Sequence, residues 1–289
     1  MSSSAFVNFL TYLEPFLCLS AIFAIVRAKQ FKNYRMFCAL LAVRLIAAPS
    51  YQVAAFLGQH VMSNKAAYKL YFYCYWSAYA IEAVLTLLVI YSIYKLSMAP
   101  LPGLKNLGSI IFTWAAGISV ALTIGMSFGP NTTSLKYLMA FAGQMQRTSS
   151  ILTLCLLVFV CFAIRPMGLT YRSRIFGVSL GMGMIACTDL VQSAWLSHVP
   201  KMASTFSLIN GLAVCLTLMV WSAYFAIPEP KRRFITLPTN SPYFRWNQIS
   251  EALGHHPGYV AIAGVPLDAF ADAELEIMRR TTRKATVSA

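Results

Sequence analysis

Seven apolar runs divide the first 227 residues: Phe6–Val26, Met36–Gly58, Leu70–Tyr94, Gly108–Phe128, Tyr137–Ile164, Ile175–Ser197 and Ser204–Ile227. Each is long enough to cross about 30 Å of hydrocarbon at about 1.5 Å per helical residue. A helix satisfies its own backbone polar groups, which hydrocarbon demands. The sequence therefore reads as an all-α membrane protein. Its expected architecture is a seven-transmembrane helix bundle over 1–227, followed by a tail over 228–289.

With 58% hydrophobic and 11% charged residues, the chain is no ordinary soluble domain, and the bilayer is its first expected partner. The net charge of +14 would suit nucleic acid. Its basic residues, however, sit between spans and form no dense cluster interleaved with aromatics, so no nucleic-acid partner is expected.

Their placement sets orientation instead. Arg27, Lys29, Lys32, Arg35, Lys95, Lys105, Arg165, Arg172 and Arg174 occupy connectors on one side, against Lys65, Lys69, Lys136 and Lys201 on the other. The positive-inside rule puts the amino terminus outside and the tail in the cytoplasm, in a plasma or bacterial inner membrane. The first run lacks a basic n-region and contains Glu14 and Pro15, so it is expected to stay as a span rather than be cleaved.

After Ile227 the segment PEPKRRFITLPTNSP reads as a linker. Short helices are expected at Trp246–Leu253 and Asp268–Arg280, and residues 231–289 are expected to engage a cytoplasmic protein partner. All seven cysteines lie in apolar runs without a CxxC pair and read as small buried hydrophobes. With His60, His198, His255 and His256 far from ligand spacing, neither metal nor other cofactor is expected.

The acidic residues are the most informative. Before residue 228 there are three, Glu14, Glu82 and Asp189, and each falls inside a span. An ionisable side chain in hydrocarbon costs roughly 2.5 to 3.5 kcal/mol on insertion scales, so these should face the bundle interior and find partners. Counting at 1.5 Å per residue puts Arg44 and Glu82 both about 12 Å from the inner boundary, where a structural ion pair is natural. The same count puts Glu14, Asp189 and Arg147 about 9 to 15 Å below the outer surface. Gln144, Gln192 and Asn210 stand at helical spacing beside them. These six residues define a candidate ligand-binding pocket open to the outside, suited to a small polar or charged ligand. Fixing of helix packing by buried charge is the plainer reading of the same residues.

Two patterns admit packing roles first. Gly177 and Gly181 form a GxxxG motif, which permits close helix approach within the bundle or between copies. Tyr71, Tyr75 and Tyr79 form a ladder on the third helix leading toward Glu82.

Several functions are set aside. A retinal Schiff base needs a lysine in the last span, and Ser204–Ile227 has none. Zinc hydrolysis and Ser/His proteolysis lack their ligands and nucleophile turn, so no enzymatic activity is expected. Charges do not recur at matching places in spans one to three and five to seven, so no repeat is read. A receptor-like sensor or signalling module stands first. A small-solute or proton-coupled transporter follows, and then a structural subunit of a membrane complex.

Overall fold

The structure, a computed structural model, describes residues 3–60, 64–99, 102–127, 134–163, 169–196 and 203–230, with residue 245. The expected tail helices and the partner segment 231–289 lie outside the described residues.

Seven helices follow one another: α1 Ser3–Arg27, α2 Arg35–His60, α3 Asn64–Ser97, α4 Pro102–Ser127, α5 Ser134–Ala163, α6 Arg174–Leu196 and α7 Ala203–Ala226. All regular structure among the described residues is helical. Among the described residues, six helices are long and apolar enough to cross a membrane: α1, α3, α4, α5, α6 and α7.

Helix α1 ends in a Schellman motif. Gln30 N–H donates to the Ile25 carbonyl and Lys29 N–H to that of Val26, with Lys29 in the left-handed region at φ 55°.

The packing order is α1, α2, α3, α5, α6, α7 and back to α1, a closed ring of six helices, with α4 laid outside against α3 and α5. Helix α4 consequently exposes Ile110, Ile111, Trp114, Ile118 and Ile124. The ring's outer surface is equally apolar, with Phe16, Phe23, Ile46, Phe162 and Val191 exposed. In water such continuous exposure would drive association; a bilayer covers it.

One end of the ring is closed by aromatics. Phe37 of α2 meets Trp221 of α7 edge to face at 4.7 Å, and Tyr34 meets Phe225 at 5.1 Å. The buried Trp221 indole donates to the Val178 carbonyl of α6 at 3.3 Å. The GxxxG motif lies at this α6–α7 contact: a Cβ at Gly177 would collide with the Tyr224 ring, and one at Gly181 with Trp221. The motif's small residues are thus occupied inside the bundle.

At the same end, Glu229 returns to the start of α6. Its Oε1 accepts from Arg174 N–H at 3.2 Å, and Oε2 lies 3.7 Å from the guanidinium. Tyr224 donates its hydroxyl hydrogen to the Tyr171 carbonyl at 3.0 Å. The chain leaving α7 is therefore tied to the helix that carries Asp189.

Candidate functional site

Inside the ring, α2 contributes Arg44, α3 Glu82, α5 Gln146 and Ser150, and α6 Asp189. All five line one cavity of about 30 Å³, which holds a water molecule or two. Arg44 Nε lies 3.2 Å from Glu82 Oε2, with side chains only 13% and 16% exposed. The contact is an ion pair by distance; Nε makes no aligned hydrogen bond. Across the cavity, Gln146 Nε2 donates to Asp189 Oδ2 at 2.7 Å, and Ser150 Oγ donates to the same oxygen at 3.4 Å.

The charged groups form one cluster rather than two. Arg44, Glu82 and Asp189 border the same cavity. The expected split by depth fails for a simple reason. On the counts above, Asp189 and Arg44 differ in height by about 6 Å, one helical turn, which an extended arginine side chain covers.

The other expected site residues do not converge. Arg147 is exposed on the outer face of α5, away from Asp189, and makes none of the site's contacts. Gln144, Gln192 and Asn210 are half-buried, and none lines the cavity. The Asn210 Oδ1 is buried without a hydrogen-bond donor. Glu14 is half-buried on α1 and lies outside the cavity wall. A polar pocket assembled from the six outer residues is not what the described residues form.

Gln146 and Ser150 were not among the expected residues. The stretch Gln144–Ser150 is polar at nearly every position, so its composition does not say which face turns inward. The apolar and small neighbours do: Ala142, Met145, Ser149 and Thr153 are buried at helical spacing, which turns Gln146 and Ser150 in and Arg147 out.

The tyrosine ladder stacks as spaced, with ring centroids 6.2 Å apart for Tyr71 and Tyr75 and 6.0 Å for Tyr75 and Tyr79. Tyr75 and Tyr79 lie within electrostatic reach of both Glu82 and Asp189. The ladder therefore leads from an exposed end at Tyr71 to the charge cluster.

Among the described residues no three His, Cys, Asp or Glu side chains converge to hold a metal ion. The available donors at the cavity are oxygens: carboxylate, amide and hydroxyl.

By helix length and composition the chain is a multi-pass helical membrane protein. Comparison with protein-family models, curated proteins and solved structures finds no match.

Proposed function

We propose that this protein is an ion-coupled membrane carrier, with the Arg44 cluster as the place where protons or small cations are taken up and released. The observation that carries this reading is the charge count: two carboxylates, Glu82 and Asp189, share one cavity inside the ring with a single guanidinium, Arg44. If all were ionised, one negative charge would stand unbalanced where the low dielectric makes it costly. Bound protons or cations must supply the balance, and a change in their number is the currency of coupled transport.

Cavity size argues in the same direction. Sites for organic ligands commonly enclose roughly 300 to 1,000 Å³. The cluster encloses about a tenth of the lower figure.

In this reading all seven helices span the membrane, the amino terminus lies outside and the tail lies in the cytoplasm, as the connector charges favour.

A receptor-like role has one specific observation in its favour. Arg174 and Asp189 share α6, and Arg174 holds Glu229 at the point where the chain leaves for the tail. A rearrangement of α6 would reach the tail directly, and a partner bound there would read it.

Proteoliposomes with a trapped pH-sensitive dye test the carrier reading. Under an imposed pH gradient, sodium, potassium, or a panel of small sugars and amino acids is added outside. At least one should accelerate collapse of the gradient relative to protein-free vesicles, and Asp189→Asn should remove the acceleration. A response to none of them counts against a carrier. Deleting residues 231–289 should leave transport intact in a carrier and abolish output in a sensor.

A further inference from the structure

We propose that Asp189, Gln146 and Ser150 form a binding site for a sodium ion. This deepens the carrier reading, on which the ion's role in transport rests, by naming the coupling ion.

The amide of Gln146 carries the argument. Its Nε2 is committed to Asp189 Oδ2 at 2.7 Å, which fixes the amide's orientation, since a carboxylate accepts and does not donate. Its Oε1 is fully buried and has no hydrogen-bond donor. A buried acceptor left unsatisfied costs about 1 to 3 kcal/mol. The missing partner must be a donor or a cation, and Gln146 borders a cavity of about 30 Å³ shared with the Asp189 carboxylate.

Charge narrows the choice. The charged and titratable groups that act on Asp189 are Arg44 from α2 and Glu82, Tyr75 and Tyr79 from α3. Helix α5 presents the neutral Gln146 and Ser150, and α7 presents Trp221. Arg44 lies 3.2 Å from Glu82, so its single charge is matched before Asp189 is counted. Asp189 is left with neutral hydrogen-bond donors and no cation of its own.

Chemistry narrows it further. Carboxylate, amide and hydroxyl oxygens are hard donors, which suit alkali and alkaline-earth ions rather than thiophilic or imidazole-seeking metals. Calcium takes 6 to 8 oxygens, usually from several carboxylates, and the nearby guanidinium opposes a second positive charge. A cavity the size of a water molecule admits a dehydrated sodium ion and disfavours the larger potassium ion.

The test melts the full-length protein, purified in detergent, in sodium chloride and in choline chloride at equal ionic strength and mildly alkaline pH. Sodium should raise Tm in a saturable way and choline should not. Asp189→Asn and Gln146→Leu should lose the sodium response, while Arg147→Gln, at an exposed position, should keep it. Ser150→Ala, a mild change, should weaken it and serves if the others fail to fold.

Identical melting in the two salts overturns the proposal, as does a sodium shift that survives Asp189→Asn or Ser150→Ala unchanged. An equal response to potassium overturns the choice of ion. Gradient collapse without sodium binding would remove this site and leave the carrier reading standing. Sodium binding without transport of any solute would do the reverse.

Discussion

Arg44 and Glu82 face each other at 3.2 Å inside the ring, and among the described residues Arg44 is the one basic residue lining the cavity. Its loss should therefore cost more than the loss of any single acid. Breaking a buried pair from one side commonly costs about 3 to 5 kcal/mol, because the other charge is left uncompensated. Arg44→Gln should lower Tm in detergent more than Glu82→Gln does, since it strands two carboxylates rather than one guanidinium. Arg44→Met with Glu82→Leu should recover part of the loss. Equal effects of the two single changes would count against a cluster centred on Arg44.

Small residues at the α6–α7 contact make a second test. A side chain at Gly181 must displace Trp221, which is buried and hydrogen-bonded to Val178. Overpacking of this kind typically costs about 1 to 3 kcal/mol. Gly181→Val should lower thermal stability without changing the size of the detergent-solubilised particle. A shift in oligomeric state at unchanged stability would mean that the GxxxG face joins copies of the chain instead.

Much of this arrangement was legible in the sequence. Helix positions followed from apolar runs, because hydrocarbon leaves few alternatives for the backbone. The pairing of Arg44 with Glu82 followed from depth, because both sit at similar height on neighbouring helices. What the residues could not show was rotation. Arg147 and Gln146 are adjacent, and a turn of about 100° between neighbours separates a residue facing the cavity from one facing out. In a stretch as polar as Gln144–Ser150, only packing against α6 decides between them. Nor did the run pattern reveal that α4 stands outside the ring, since its apolar length resembles that of its neighbours while its contacts are confined to α3 and α5.

That rotation can be checked directly. Cysteine introduced at position 147 should react readily with membrane-permeant maleimide in detergent, while cysteine at 146 should react slowly, in a protein whose own exposed cysteines have been replaced. Comparable rates at both positions would contradict the facing of α5 given by the Gln146–Asp189 hydrogen bond.

The end of α1 offers a stabilising change. Lys29 holds φ 55° at the position of the Schellman motif that glycine usually fills. A side chain there costs of the order of 1 kcal/mol, which glycine avoids. Lys29→Gly should therefore raise Tm modestly, and Lys29→Val should lower it, because a β-branched residue tolerates this conformation worst. The first change removes one of nine positive charges from the connectors on that side, so orientation should hold. Accessibility of the loop to an impermeant reagent, applied to sealed vesicles, checks that. If Lys29→Gly instead lowered Tm, the lysine side chain would have to make a stabilising contact that outweighs its backbone strain.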